Sequence, residues 1–418
     1  MTNVTLEIER LGQRGEGIAK LSGRAVFVPF ALEGERVLAE VEGERGRLLE
    51  ILSASPDRIA PICKYYGVCG GCAVQTLARS AYAAWKRGLV ATALNNAGIS
   101  TEVAPLLDAH GAGRRRVVFH ARDGAVGFME ARAHKIVEID ACPLLETGLA
   151  PALAAARALA RALRSTGKAL DIAVTASPEG LDIDLRGSGA LTESEARALV
   201  ELAQRLDLAR LSNHGRVLAL RRRPTIEVGR AKLSPPPGGF LQATALGEEE
   251  ISRLALHAIG KAKRVADLFC GSGAFALRLC EVARVEAFDD NAEAIAALQE
   301  AARTLTGTKP IEAHRRNLFD NPLRAEELEV FDAAVFDPPR VGAAAQASEL
   351  ARSKVPIAVA VSCNAQSFAR DARVLIGGGF ALEQVTPIDQ FRYAAHVELV
   401  AVFKRAASRK RKAPLLSR

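Results

Sequence analysis

RVADLFCGSGAFALRL, residues 264–279, runs from an apolar strand through a glycine turn into a helix. The same rhythm continues along the C-terminal part of the chain, where apolar segments at 284–289, 329–337 and 355–363 read as strands separated by loops or helices. Strands that alternate with helices favour a mostly parallel sheet covered on both faces. The pattern therefore predicts an α/β fold with a doubly wound sheet and an antiparallel final strand.

The glycine turn predicts a cofactor site. Gly271 and Gly273 allow the backbone to approach a ligand closely, and their spacing fits a loop that holds S-adenosylmethionine better than a dinucleotide loop. The alternative is an ordinary tight turn. Asp289 ends the second strand about 18 residues after Gly271, where a carboxylate accepts hydrogen bonds from ribose hydroxyls. Asn317 is a candidate for the adenine edge, and Asp337 ends the fourth strand at the edge where such folds bind ligands.

A cysteine ends the next apolar strand, at the same edge of the sheet. Cys363 is either a packed core thiol or a nucleophile close to the cofactor. One reaction that needs a thiol beside a methyl donor is methylation of uracil at carbon 5. That carbon is too weak a nucleophile to accept a methyl group unaided, and a thiolate that adds to carbon 6 makes it reactive. A base must then remove the carbon 5 proton. His396 and Glu398, on the last strand, are both candidates for that base.

Four of the seven cysteines suggest a metal centre. Cys63, Cys69 and Cys72 lie close together in sequence, and Cys142 follows far downstream, before a proline. An odd number of cysteines argues against a disulfide framework. Four thiolates suit either tetrahedral zinc or an iron–sulfur cluster, and the spacing alone does not decide between them.

The rest of the chain divides by composition. Residues 1–56 read as about five short strands with glycine turns, which indicates a small barrel. Residues 57–235 mix helices and strands, and SPPPGG at 234–239 reads as a linker to the doubly wound domain, residues 236–405. Residues 406–418 form a basic tail.

Charge and hydropathy indicate which partners the protein binds and whether it contacts a membrane. The net charge is +8, but residues 404–418 hold seven basic residues and no acidic one, so the rest of the chain is nearly neutral. Such a tail suits nucleic acid, or it is simply a solvated terminus. No segment approaches the roughly 18 apolar residues that cross a bilayer, and the first residues do not form a secretory signal. We therefore expect a cytoplasmic protein with no membrane contact.

Six short motifs occur in one order: FLQAT, DLFCGSGAF, RNLFD, DPPR, SCNAQSFARD and HVELV. Together they resemble the RNA uracil-5-methyltransferases over almost the whole chain. Each motif is moderately specific, and the joint occurrence of the last three is highly specific. The resemblance implies a Rossmann-like class I methyltransferase domain, an N-terminal OB-like TRAM β-barrel that binds RNA, and a central α+β domain with a four-cysteine cluster.

The resemblance also implies roles for single residues. Cys363 is then the nucleophile, and Glu398 rather than His396 is the base. Phe240 is a candidate contact for the flipped target base. The positions that match the cofactor site are Gln242, Phe269, Gly271, Gly273, Asp289, Asn317 and Asp337.

The cysteine spacing is similar to that of the iron–sulfur members of this family. It favours a [4Fe–4S] cluster at Cys63, Cys69, Cys72 and Cys142 over zinc, with a structural or RNA-orienting role. The barrel, the four-cysteine site and the motif at Asn317 occur together in members that methylate bacterial 23S rRNA. The favoured partner is therefore 23S rRNA, tRNA is a second candidate, and no obligate protein partner is implied.

Four residues depart from the family pattern. Ala365 replaces a proline, Ala274 an asparagine, Asp289 a glutamate and Thr244 an asparagine. None of these changes removes a group that does chemistry, so they affect the cofactor assignments more than the catalytic ones.

Two other functions compete with uracil methylation. An amino-group methyltransferase also uses an aspartate–proline–proline turn, but it would leave Cys363 without a role, and Arg340 stands where an aromatic residue is usual. A catalytically silent RNA-binding protein would explain Ala274 and Ala365. The presence of both Cys363 and Glu398 speaks against it.

Overall fold

The computed structural model describes residues 2–131, 133 and 135–405. The described chain forms sheets of six, seven and eight strands and one two-stranded hairpin. The basic tail predicted at 406–418 lies outside the described residues. Within the described residues, no helix combines the length and the apolar character that crossing a membrane requires.

The N-terminal sheet has six strands, where the sequence indicates about five. Alternating residues of its strands point into a small core that contains Leu6, Val26 and Val37, as expected for a sheet with one buried face. The strands are β1 (Thr2–Glu7), β2 (Arg10–Leu11), β3 (Gly17–Leu21), β4 (Arg24–Val28), β5 (Arg36–Glu42) and β6 (Arg45–Ser53). Their order in the sheet is β1-β5-β6-β4-β3-β2.

The central part of the chain forms a seven-stranded sheet, and two amphipathic helices pack on its apolar face. A capping box between Thr192 and Glu195 begins the second of these helices. The elements are α1 (Arg79–Asn96), β7 (Leu107–Asp108), β8 (Arg116–Arg122), β9 (Ala125–Met129), β10 (Ile136–Glu138), α2 (Ala152–Ala162), β11 (Leu170–Ser177), β12 (Gly180–Arg186), α3 (Glu193–Arg205), β13 (Arg210–Asn213) and β14 (Arg216–Leu220). The sheet order is β10-β9-β8-β11-β12-β13-β14.

The C-terminal part forms the eight-stranded sheet, in the order β19-β18-β17-β20-β21-β23-β22-β7. Its elements, after the hairpin β15 (Ile226–Val228) and β16 (Ala231–Leu233), are α4 (Ala245–Ile259), β17 (Arg264–Leu268), α5 (Ala276–Leu279), β18 (Arg284–Asp289), α6 (Ala292–Thr304), β19 (Ile311–Arg315), α7 (Ala325–Leu328), β20 (Ala333–Phe336), α8 (Ala344–Arg352), β21 (Ile357–Ser362), α9 (Ala365–Gly377), β22 (Phe380–Asp389) and β23 (Glu398–Arg405). Strands β17 to β21 run parallel, and β23 is antiparallel to both of its neighbours. The predicted doubly wound sheet and antiparallel final strand are confirmed.

The C-terminal sheet also packs against elements of the range 57–235, namely α1, β7 and the hairpin β15–β16. Helix α1 places Val90 and Leu94 in the core of the eight-stranded sheet. Strand β7 pairs with the end of β22, where Leu107 lies opposite Ile388. The predicted central domain therefore contributes to two cores, and α1 lies next to the loop that precedes β23.

Candidate active site

A large cavity of about 1170 Å³ lies where the three sheets meet. It opens at the carboxyl ends of the parallel strands, the edge at which such folds bind ligands. The sequence-predicted residues that line it are Cys63, Cys69, Cys72, Cys142, Phe240, Gln242, Phe269, Gly271, Asp289, Asp337, Cys363, His396 and Glu398. The predicted catalytic pair, most of the predicted cofactor residues and all four cluster cysteines therefore share one space.

The two glycines of the turn have different tasks. Gly271 has a φ of +51°, and a Cβ built on it would meet no atom within 4 Å, so the backbone there leaves open space. A Cβ on Gly273 would lie 2.3 Å from the Leu298 Cδ1 atom of α6. Gly273 is not a lining residue of the cavity, and its role in the fold is to let α6 pack against the turn.

The second and third strands place their polar residues differently. The Gly271 N–H donates to Asp289 Oδ2 at 2.9 Å, and the Asn291 N–H donates to Asp289 Oδ1 at 2.9 Å, which holds the carboxylate at the cavity wall. Asn317 does not line the cavity. Its amide donates to Asp320 and accepts the Phe319 N–H, both within a local turn. Phe319 lines the cavity instead, with its ring centroid 5.3 Å from that of Phe269.

Asp337 lies at the centre of an amide network. Gln242 Nε2 donates to Asp337 Oδ2 at 3.2 Å, and Gln390 Nε2 donates to Gln242 Oε1 at 2.7 Å. Burial raises the pKa of Asp337 to about 7, although the hydrogen bond from Gln242 acts in the opposite direction. The carboxyl group is thus held in one position, and it gains or loses its proton near neutral pH.

Cys363 and Glu398 lie at the adjoining ends of two antiparallel strands. The register pairs Ser362, the last residue of β21, with Leu399 of β23. Cys363 follows β21 directly, Glu398 begins β23, and both residues line the cavity. Burial, with added repulsion from Asp337, raises the pKa of Glu398 to about 8. Burial also raises the pKa of Cys363 to about 11, and the charges of Glu398 and Asp337 contribute to that rise.

A second pair of polar groups lies at the rim of the cavity. The Arg340 guanidinium approaches His396 Nε2 at 3.2 Å. Desolvation in the cavity, together with the positive charge of Arg340, lowers the pKa of His396 to about 4. The imidazole is therefore neutral at pH 7. The positive charge of Arg340 also acts to lower the pKa of Cys363.

The loop before Glu398, residues 390–397, is held from two sides. Lys86 of α1 is fully buried, and its ammonium group donates to Asp389 Oδ1 at 2.9 Å and to the carbonyl oxygens of Phe391 and His396. The backbone N–H groups of Ala73 and Val74 donate to the carbonyl of Tyr393. Helix α1 and the segment after Cys72 thereby position the loop that leads into Glu398.

The four cysteines lie at the other end of the cavity. Burial raises the pKa of Cys72 to about 11 and also raises the pKa values of Cys69 and Cys142, and nearby members of the set add to each rise. Among the described residues, no three of these sulfur atoms lie within 4.8 Å of one another. All four thiols are free of disulfides.

Two of the departures from the family pattern have structural explanations. Thr244 is the N-cap of α4, where its hydroxyl accepts the Gly247 N–H at 2.9 Å and donates to the carbonyl of Ala109 at 2.7 Å. Ala365 is the first residue of α9, whose N-cap is Asn364. Both positions keep a helix start that an asparagine or a proline also favours.

The known proteins most informative for this chain share both its sequence and its architecture. A family model for the TRAM domain matches residues 2–49. An uncharacterized RNA methyltransferase of Brucella suis is 43% identical over 401 residues, covering 95% of this chain and 97% of the relative. The 23S rRNA (uracil(1939)-C(5))-methyltransferase RlmD of Pseudomonas fluorescens is 35% identical over 430 residues, covering 96% of this chain and 93% of the relative. The chain belongs to the RNA uracil-5-methyltransferase family.

As a member of the RNA uracil-5-methyltransferase family, the protein is an RNA-modifying enzyme. Among solved structures, the tRNA (uracil-54, C5)-methyltransferase of Pyrococcus abyssi in complex with S-adenosyl-L-homocysteine has a TM-score of 0.72 and 21% identity. The alignment covers 96% of this chain and 99% of that one. The predicted methyltransferase fold and the TRAM domain are thereby confirmed.

Several residues of the site have no assignment in the sequence analysis. Arg340 is the last letter of DPPR, where an aromatic residue is usual in amino-group methyltransferases, and Arg114 and Arg116 belong to a run of three arginines at 114–116. Arg114 stacks over the Phe391 ring at 5.2 Å, and Arg116 over Phe240 at 5.8 Å. The sequence signals were the arginine in DPPR and the run of three consecutive arginines. The target of each arginine, an aromatic ring far away in sequence, could not be read from the chain.

Proposed function

We propose that the enzyme transfers a methyl group from S-adenosylmethionine to carbon 5 of a uridine in 23S rRNA, through a covalent bond between the Cys363 sulfur and carbon 6. The observation that carries this proposal is the placement of Cys363 and Glu398 at the adjoining ends of adjacent strands in one cavity. A nucleophile on one side and a base on the other side of a flat ring are what addition and elimination at neighbouring carbons require.

The catalytic sequence uses both residues in turn. The Cys363 thiolate adds to carbon 6 and forms the sulfur–carbon bond, and the electron pair of the ring double bond moves toward carbon 5 and the carbon 4 oxygen. Bound S-adenosylmethionine supplies an electrophilic methyl group from its sulfonium centre. Once carbon 5 carries the methyl group, the Glu398 carboxylate removes the carbon 5 proton. The electron pair of that bond restores the double bond and expels the Cys363 thiolate.

The electrostatics of the site agree with these roles. Glu398, with a pKa of about 8, is close to the ideal for a base that acts near neutral pH. The thiol of Cys363 ionises less readily, because burial raises its pKa and the charges of Glu398 and Asp337 raise it further. A positive charge placed in the cavity lowers the pKa of an adjacent acid or thiol, so a bound sulfonium favours the thiolate.

The glycine turn fits the adenosine part of the cofactor. The open space at Gly271 admits a ligand against the backbone, and the Asp289 carboxylate retains lone pairs for ribose hydroxyls. We assign the cofactor to Gln242, Phe269, Gly271, Asp289 and Asp337, and we assign the adenine contact to Phe319 in preference to Asn317. The side chains of Phe269 and Phe319 form an apolar wall that suits a planar base.

The four cysteines support the proposal of a [4Fe–4S] cluster. All four thiols line the same cavity, and repulsion among members of the set contributes to the raised pKa values of Cys69, Cys72 and Cys142. Four thiolates are the usual ligand set of such a cluster. Methyl transfer needs no redox step, so we assign the cluster a structural task at the RNA-facing end of the cavity.

The choice of RNA rests on the relatives. The protein from Pseudomonas fluorescens is named for 23S rRNA, and the structurally similar protein from Pyrococcus abyssi is named for tRNA. The former is the closer in sequence of the two, which favours 23S rRNA. A uridine must leave its stack to reach Cys363, so an unpaired target suits the cavity.

The decisive experiment traps the covalent intermediate. Fragments of 23S rRNA containing 5-fluorouridine, incubated with enzyme and S-adenosylmethionine, are separated on a denaturing gel. Fluorine cannot be removed as a cation, so the enzyme stalls as an adduct and gives a shifted band. Glu398→Gln is expected to give an adduct even on normal RNA, because the elimination step slows.

Cys363→Ser is the control for the adduct, and it keeps the volume of the side chain nearly unchanged. A band that persists in Cys363→Ser contradicts the nucleophile. A band on tRNA but not on rRNA changes the substrate and keeps the mechanism. The absence of any band, together with the absence of methylated RNA, overturns the proposal in favour of a silent RNA-binding protein or an amine methyltransferase.

The metal content is tested separately. Anaerobic purification is expected to give a brown protein that contains iron and sulfide, and loss of any one of the four cysteines is expected to remove the colour. A colourless protein with one zinc per chain would reject the cluster.

A further inference from the structure

A loop of the N-terminal domain lines the same cavity as Cys363. Residues 12–16 connect β2 to β3 in a tight turn, in which the Gly12 N–H donates to the carbonyl of Glu16 and the Gly15 N–H donates to that of Gly12. The loop extends from its own domain to the active-site cavity, where Arg14 and Gly15 form part of the wall.

Contacts from three other parts of the chain fix this loop. Trp85 of α1 donates its indole N–H to the carbonyl of Gly12 at 3.1 Å. Gln366 of α9 donates from Nε2 to Gln13 Oε1 at 3.1 Å. Gly15 has a φ of +81°, and a Cβ there would lie 2.8 Å from Val74, just after Cys72. The loop is therefore held rigidly against the catalytic domain and the cysteine segment.

Arg14, at the tip of this loop, has no assigned partner. Its side chain is exposed, and within the described residues it makes no hydrogen bond or ion pair. By contrast, arginines of the consecutive run at 221–223 are engaged in ion pairs: Arg222 pairs with Asp207 at 2.9 Å, and Arg223 pairs with Glu300. Arg14 is thus a cation that a fixed loop presents and that no described residue neutralises.

Arg14 also connects two cavities. A smaller cavity of about 290 Å³ adjoins the main one, and both are lined by Arg14, Arg340, Cys363 and His396. The rest of the smaller cavity is lined by amide and apolar side chains of α1, α9 and the loop at 395–397. In the described part of the chain, no acidic side chain lines it. An anionic group can therefore enter beside Cys363 without meeting a carboxylate.

We propose that Arg14 binds an RNA phosphate that flanks the target uridine and so fixes the strand where the base turns toward Cys363. This inference rests on the proposed function, since it presumes that an RNA base reaches the thiol. A guanidinium offers a planar fork of donors that matches the geometry of a phosphate. A base that leaves its stack needs its backbone held at that point, and Arg14 and Arg340 lie on the walls that the flanking phosphates must pass.

The test compares Arg14→Ala with Arg24→Ala. Arg24 is an exposed arginine of the same domain that lines neither cavity, so the two variants lose the same charge. The probe is the 23S rRNA fragment that forms the Cys363 adduct, and its affinity is measured over a range of salt concentrations. We expect Arg14→Ala to weaken binding about tenfold and to reduce the slope of log affinity against log salt by about 0.7, as for one phosphate on a single strand.

A thermodynamic cycle identifies the phosphate. A neutral methylphosphonate replaces the linkage on the 5′ or the 3′ side of the target uridine in turn. At the contacted linkage it should weaken binding by the wild-type enzyme and have little further effect on Arg14→Ala, because partners in one contact are not additive. Arg14→Lys keeps the positive charge but not the planar fork of donors. Its RNA affinity should therefore fall between those of the wild-type enzyme and Arg14→Ala. The unfolding transition reported by Trp85 checks that each variant is folded.

Two results overturn the role of Arg14. In one, Arg14→Ala binds RNA as well as Arg24→Ala does. In the other, both methylphosphonates weaken the wild-type enzyme and Arg14→Ala equally. Failure of the proposed function is a separate observation, since it shows as the absence of any adduct with the wild-type enzyme. Arg14→Ala itself should still form the adduct at saturating RNA, because Cys363 and Glu398 are unchanged.

Discussion

Replacing Lys86 by methionine tests how the active-site loop is held. Lys86 and Asp389 are 303 residues apart and pair at 2.9 Å, and their side chains are 0% and 2% exposed. Methionine keeps the length of the side chain and removes the charge. It leaves the Asp389 carboxylate buried with the Tyr82 hydroxyl, at 2.6 Å, as its remaining side-chain partner. Breaking a buried pair on one side costs roughly 3–5 kcal/mol.

The assay is urea denaturation followed by tryptophan fluorescence. The chain has one tryptophan, Trp85, next to Lys86 in sequence and 6.1 Å from the Tyr82 ring. The double variant Lys86→Met with Asp389→Asn should recover most of the lost stability, because two neutral groups then replace two charges. A Lys86→Met variant within about 0.5 kcal/mol of the wild-type enzyme, the usual range for a neutral surface change, would refute the reasoning. A double variant no more stable than Lys86→Met would refute it as well.

The same substitution has a consequence for catalysis. The positive charge of Lys86 acts to lower the pKa values of Glu398 and His396. Its removal should therefore raise the pKa of Glu398 further, and the acid limb of the pH–rate profile should move to higher pH. A variant that loses stability but keeps the wild-type profile would show that Lys86 supports the fold without tuning the base.

Three further outcomes follow from the geometry of the site. Because Glu398 must be deprotonated to act and its pKa is about 8, the single-turnover rate of proton removal should rise about tenfold per pH unit up to that value and then level off; a rate that is flat between pH 6 and 9 would contradict its role as base. Gly273→Ala should lower the free energy of unfolding by about 1–3 kcal/mol more than Gly307→Ala, because both have positive φ but only the first meets a fixed core atom, at Leu298; equal losses would mean that α6 can shift. Thr244→Val should cost about 1 kcal/mol through loss of the helix cap, and Thr244→Asn should restore most of it, both measured by urea denaturation against the wild-type enzyme.

The local periodicity of the chain determined the type and order of its principal elements. The glycine turn, the strands of the C-terminal sheet and the antiparallel last strand could all be predicted, because each depends on residues close together in sequence. Cys363 and Asp337 could be placed at the same edge for a related reason. In a parallel sheet, the carboxyl ends of all strands meet at one side.

Tertiary structure alone decided which partner each polar side chain has. Asn317 was expected at the cofactor, but its amide is satisfied within its own turn, and Phe319 lines the cavity instead. Helix α1 was assigned to the central domain, yet it packs on the C-terminal sheet, because its apolar face fits there. A pattern of apolar residues states that a face is buried, and it does not state against what.

The basic residues show most clearly what the sequence determines and what only the tertiary structure decides. The sequence determines how many arginines the chain has and which of them are adjacent, but adjacency does not predict free charge. Arg222 and Arg223 lie in a cluster and are neutralised by Asp207 and Glu300, whereas the isolated Arg14 remains unpaired within the described residues. Ion pairs form between groups that folding brings together over long sequence separations. Which cations remain available to a polyanion is therefore a property of the folded molecule.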